Sequence, residues 1–281
     1  MLFKLHSVVK GRPSLRQLIS VQLLLWHPPP TSLMMAKLLR SPKSGSDWTA
    51  NELCTYNIAV VPQNKEEFFR TINFPDPAEP SLAGFITAET RQDAADSGTK
   101  QLLHYLDLAM DPKVGQEAAV SNFAAMLLRS LEYNDEDRIV FIRLAIPFLI
   151  CGETTVAQTS VCIMDDNNEI LLLLQEDNKL TSMKDPEPQV IAEAIAAFAL
   201  NNRKRERNLN LPPLQSIMFP CLTMVGTSPT FYQITVTTAL SKAVQTGVFP
   251  EIETRVLRYI PALPRRNREG MRSLPNRLEI L

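Results

Sequence analysis

The sequence predicts a mixed α/β fold, and three observations carry that prediction. Helix-like and strand-like segments alternate along the chain instead of sorting into separate blocks. Five aliphatic residues in a row, Ile170 to Leu174, follow the turn-forming Asp165-Asp166-Asn167-Asn168 and read as a strand buried within a sheet. Gln189 to about Arg203 is rich in alanine, and small residues let a helix lie close on a sheet. With 281 residues, 45% of them hydrophobic, the chain can bury the core of one large domain.

Taken in order, residues 1–46 are basic and acid-free, with Pro28-Pro29-Pro30 in the middle. They read as a poorly packed N-terminal extension, or as the product of a start codon upstream of Met34 or Met35; mitochondrial targeting is the minority reading. Order is expected from Ser46-Asp47-Trp48-Thr49, because Thr49-Ala50-Asn51-Glu52 has the spacing of a capping box. A short helix there leads into a strand at Ile58 to Val61, stopped by Pro62, and Asn64 to Phe69 reads as a second short capped helix. Residues 72–84, with Pro75, Pro77 and Pro80, read as a loop. Leu102, Leu103, Leu106 and Met110 mark a helix from about Thr99. Val120, Phe123, Ala124, Leu127, Leu128 and Leu131 mark another, with Glu117 in line with its apolar stripe.

Ile139 to Cys151, Val156 to Met164 and Ile170 to Lys179 read as three strands, the last two forming a hairpin through Asp165 to Asn168. After the alanine-rich helix, Ile217 to Val225 and Phe231 to Thr237 read as a second hairpin, and Thr238 to Thr246 as a short helix stopped by Gly247. Glu253 to Ile260 reads as an edge strand. The Pro- and Arg-rich remainder reads as a surface wrap. The resulting expectation is a basic extension over 1–46, a single domain over 47–264 and a tail over 265–281.

Charge narrows the function. The first 46 residues hold seven of the 29 Lys and Arg and none of the 30 Asp and Glu, so the rest carries 22 cations against 30 anions. An acidic body argues against non-specific coating of nucleic acid while leaving room for a local basic groove. Four cysteines, Cys54, Cys151, Cys162 and Cys221, lie far apart and read as reduced thiols of an intracellular protein of cytoplasm or nucleus. No apolar stretch is long enough to cross a bilayer, so a soluble chain without a membrane partner is expected. With only three histidines, two of them in the extension, a Ser-His or Cys-His nucleophile has little support. Nine glycines and no G-x-x-x-x-G-K argue against a glycine-rich nucleotide cradle.

The strongest chemical signal is the polar tip of the leucine strand, Gln175-Glu176-Asp177-Asn178-Lys179. Charges at the end of a buried strand have to be paired or hold a metal. Alternation puts Asp177 and Lys179 on one face, about 6.6 Å apart, and turns Glu176 away. Charged strand ends are also common as solvated surface, and ion pairs there contribute little.

The order helix, three antiparallel strands, helix, strand, running from Glu117 to Val225, resembles the αβββαβ core of the PD-(D/E)XK, restriction-endonuclease-like superfamily, with its acid-x-lysine at the end of the third strand. Over roughly residues 46–281 the chain also resembles a family of fungal proteins that brings no known activity. The blocks that carry this second resemblance are Trp48-Thr49-Ala50-Asn51-Glu52-Leu53, Ile163-Met164-Asp165, Gln175-Glu176-Asp177, Asp185-Pro186-Glu187-Pro188-Gln189 and Met224-Val225-Gly226-Thr227.

The nuclease resemblance implies a helical acid at Glu117, the acid-x-lysine at Asp177-Asn178-Lys179 with Glu176 beside it, and the amide of the following helix at Gln189. It further implies Mg²⁺ on Glu117, Glu176 and Asp177, with Lys179 orienting the nucleophile and nucleic acid as partner. Two positions depart from the pattern. Ser160 stands where the second strand should bring an acid, and Asp165 lies about 16 Å further along. Asn178 is one residue more than the Gln-Glu-Asp-Lys of the fungal family, which shifts Lys179 and can flip its face. The expectation is therefore a nuclease-like protein with impaired or absent metal-dependent phosphodiester hydrolysis. The alternatives are a non-catalytic protein- or nucleic-acid-binding module on the same fold and an unrelated α/β protein.

Overall fold

The computed structural model describes residues 40–73, 82–177 and 185–281 of the chain. Seven strands form one mixed sheet in the order β1-β7-β6-β5-β4-β3-β2. They are β1 (Ile58–Pro62), β2 (Arg138–Ile150), β3 (Glu153–Asp165), β4 (Ile170–Asp177), β5 (Ser216–Val225), β6 (Ser228–Thr237) and β7 (Thr254–Tyr259). β4 and β5 run parallel, as do β1 and β7, and the other neighbours are antiparallel. The mixed α/β class expected from the alternation of segments is what the chain forms.

Helices cover both faces. On one side α4 (Ser97–Met110) and α5 (Ala119–Ser130) pack with α3 (Ala83–Thr87) over Val161, Ile163, Leu172, Leu174, Leu222 and Met224. On the other, α1 (Ala50–Thr55), α6 (Pro186–Arg207) and α7 (Thr238–Thr246) pack over Cys162, Leu173, Cys221, Ile234 and Val236. β4 is thus buried on both faces, which explains why it reads as an unbroken aliphatic run and not as an alternating one.

Local signals set most helix boundaries. Thr49 and Glu52 form the capping box of α1, and Asn64 and Glu67 form that of α2 (Lys65–Phe69). Asp96 accepts from the Thr99 N–H at 2.8 Å to start α4. In α6, Ala192, Ala194, Ala196 and Ala197 are all fully buried, so the helix backbone comes close to the sheet.

The β2–β3 hairpin closes on Cys151 and Gly152, both at positive φ (51° and 80°), in the two-residue turn that suits the twist of paired strands. Along β2, Val140 and Ile142 face the α4–α5 side, whereas Leu144 and Ile146 face the α6 side. The register is the same before and after, since Ile142 pairs with Val161 and Leu144 with Thr159. The change of face therefore comes from a local twist, and Arg143, at φ 59°, sits at the switch. At the outer edge, the Val140 N–H donates to Asn134 Oδ1 at 3.1 Å and its carbonyl accepts from Arg129 at 3.3 Å.

Two expectations change. Residues 254–259 form an inner strand, not an edge, because β1 adds in parallel outside β7. Burial in the C-terminal segment also runs against a surface wrap. There a 3₁₀ turn (Asn267–Arg272) leads into α8 (Leu274–Ile280), and Asn276, Arg277 and Ile280 have 0% exposure. The Arg277 guanidinium donates to the carbonyls of Phe85, Ala88, Met271 and Arg272 and lies 4.4 Å from the Phe85 ring centroid. Burial holds its pKa down to about 10. α3 falls partly inside the stretch read as loop; residues 74–81 of that stretch, like most of the N-terminal extension, lie outside the described residues.

Arg277→Met should lower the unfolding free energy by about 3 kcal/mol, because four buried carbonyls lose their donor together. Urea denaturation followed by circular dichroism measures this, and an unchanged midpoint would contradict it.

Candidate functional site

The C-terminal tip of β4 lies between α5 and α6, and alternation divides its side chains between them. Glu176 turns to α5, where Oε2 accepts the Ser121 N–H at 2.6 Å. Ser121 is the third residue of α5, so its N–H is one that the helix itself leaves without a partner, and a carboxylate there also meets the positive end of the helix dipole.

Gln175 turns the other way and is buried. Its Oε1 accepts from Ser160 Oγ at 3.2 Å and its Nε2 donates to the Glu176 carbonyl at 2.9 Å, while the Glu176 N–H donates to Ser160 Oγ at 3.2 Å. Ser160 thus uses its hydroxyl twice to fasten the tip of β4 to β3. Gln175 lies beside Thr223 on β5, and Tyr232 on β6 lies beside Arg258 on β7. Arg258 in turn pairs with Glu187 of α6 at 2.9 Å. Burial pushes the Tyr232 phenol up, with the Glu187 charge adding to it. Ser160, Gln175, Thr223, Tyr232 and Arg258 form a polar row across five adjacent strands.

Gln189 sits on the first turn of α6, and its Nε2 donates to Glu193 Oε1 at 3.1 Å. Glu193 has 0% exposure, and among the described residues no hydrogen bond is made to its Oε2. Burial raises its pKa well above the ordinary carboxylate value and so favours the neutral form of this side chain inside the α6 core. The sequence reading missed it. The signal was a single acid four residues after Gln189, in the buried phase of an alanine-rich helix.

Glu117 does not fall on the α5 stripe. Gly115 turns the chain at φ 85° and the helix begins only at Ala119, which leaves Glu117 exposed, with Oε1 accepting the Gly115 N–H at 3.1 Å. The Asp177 backbone makes the last rung of β4 against Val225. The Asp177 side chain and Lys179 lie outside the described residues. Among the described residues no three His, Cys, Asp or Glu side chains gather as a metal site. Of the three acids expected to hold a metal, the described residues place Glu176 on the first turn of α5 and Glu117 on the loop before it.

A cleft of about 380 Å³ opens at the C-terminal end of β5, at Val225, which pairs with Asp177 of the parallel neighbour β4. Val225 lies on its wall with Met110, Val120, Pro229 and Leu263, and Asp111 and Arg268 stand on its lining. Ends of parallel strands are where open α/β sheets place their ligands.

Two outcomes follow for stability. Glu176→Ala should cost about 1 kcal/mol by leaving an α5 N–H without its acceptor, readable by chemical denaturation. Glu193 acts through pH. Its folded pKa is raised, so its contribution is complete below the unfolded value near 4.3 and is lost as pH rises, by up to about 1.4 kcal/mol per pH unit until the folded pKa is reached. Glu193→Gln should flatten the fall in melting temperature between pH 5 and 9, and an unchanged slope in thermal melts would refute this assignment. No protein-family model matches the chain, and no curated protein does.

Proposed function

We propose that this chain is a nuclease-like domain of the PD-(D/E)XK kind in which metal-dependent phosphodiester hydrolysis is lost or impaired. The order α5-β2-β3-β4-α6-β5, with three antiparallel strands and a parallel β4–β5 pair, supports the ancestry. One observation carries the loss. The polar groups at the strand tip are used for holding the fold: Glu176 on the first turn of α5, Ser160 on Glu176 and Gln175. A metal bound there would have to share Glu176 with the helix N–H and would find a neutral hydroxyl where a second acid is needed.

The cleft beside Val225 favours the binding reading of this fold over the catalytic one, since it is a formed cavity with an apolar wall at the same sheet end. Incubation of the full chain with supercoiled plasmid and single-stranded oligonucleotide in Mg²⁺ or Mn²⁺ should give no cleavage above buffer. Calorimetric titration with Mg²⁺, Mn²⁺ or Ca²⁺ should give no saturable heat. Cleavage that disappears in Asp177→Ala or Lys179→Ala would overturn the proposal.

A further inference from the structure

We propose that the cleft at the end of β5 binds a small amphipathic monoanion, with a compact apolar body against its wall and one carboxylate, sulfonate or phosphate end on Arg268. The volume, about 380 Å³, lies in the range of small-molecule sites. Its wall is assembled from four separate parts of the chain: the end of α4 at Met110, the first turn of α5 at Val120, the β5–β6 hairpin at Pro229 and the stretch that follows β7 at Leu263. Val120 is buried and Leu263 packs against the main core, so the wall is continuous with the folded interior and is not a loose surface fold.

Arg268 supplies the charge. Among the described residues it has no hydrogen bond or ion pair, whereas neighbouring Arg265 pairs with Glu269 at 3.7 Å and Arg277 is held by carbonyls. An exposed guanidinium on the lining of a cleft with an apolar wall offers a planar fork to an anionic end group. Asp111 also lines the cleft and carries the opposite sign, which disfavours a second negative charge on the ligand. A polyanion is disfavoured further by the surplus of 30 acids over 22 basic residues beyond residue 46. The Ser121 N–H in the first turn of α5 is not part of the anion site, because Glu176 already takes it. None of this depends on whether the strand tip ever hydrolysed phosphodiesters.

Two dyes of the same ring system make the test, with the full chain in each case. 8-Anilinonaphthalene-1-sulfonate carries one negative charge, and N-phenyl-1-naphthylamine is its neutral counterpart. The anionic dye should bind saturably at one site by fluorescence titration. Arg268→Ala should weaken it about tenfold and Asp111→Asn should tighten it about threefold. The neutral dye should bind wild type and Arg268→Ala equally, which separates loss of charge from loss of the cavity. No saturable binding of the anionic dye, an unchanged affinity in Arg268→Ala, or an equal loss for both dyes would each overturn the proposal.

Discussion

A strand with both faces covered has nowhere to leave an unsatisfied polar atom, and β4 is such a strand. Leu172 and Leu174 enter one core and Leu173 the other, so the positions that follow inherit a strict requirement. Gln175 and Glu176 meet it by reaching in opposite directions, one to β3 and one to α5. The parallel partner β5 continues the same rule with Thr223, and β6 and β7 with Tyr232 and Arg258. What resembles a catalytic tip in one dimension is, in three, the place where two helices and five strands are fastened together. Hydrogen bonds of this sort stabilise little individually, but removing one partner leaves the other buried and unpaired, which is far more costly.

Local chemistry was legible in the sequence. Thr49 with Glu52 and Asn64 with Glu67 announce helix starts through contacts three residues apart, and Gly247 announces the end of α7 by the αL conformation that it adopts at φ 68°. The leucine run marked β4, and the alanines marked the face of α6. Features that depend on distant partners were not legible. Nothing near residue 255 says that β1 will add outside β7, nearly 200 residues away in sequence. Arg277 reads as a surface cation until Phe85 and Ala88 bring their carbonyls to it.

The candidate site divides along the same line. Its position at the end of β4 could be read from the change of apolar to charged residues. Which side each residue serves could not, because Glu117 lies outside α5, after the turn at Gly115, and Ser160 takes its role from the bonds it makes to Gln175 and Glu176 on the neighbouring strand. Glu193 shows the limit from the other side. A carboxyl group that reads as solvent-facing in composition is, by helical phase, among the most deeply buried groups in the chain. The cleft is less legible still, since its walls come from four stretches with no shared motif.

The treatment of Val140 has a consequence for the company this protein keeps. A thirteen-residue outermost strand is ordinarily a template on which another chain can add itself. Here a side-chain amide and a guanidinium occupy the outward groups near one end, and at the other the Cys151 and Gly152 amides are spent on carbonyls of α7. The opposite margin of the sheet, β1, is five residues long and ends in proline. Strand addition is thereby hindered near both ends of β2 and along the short β1.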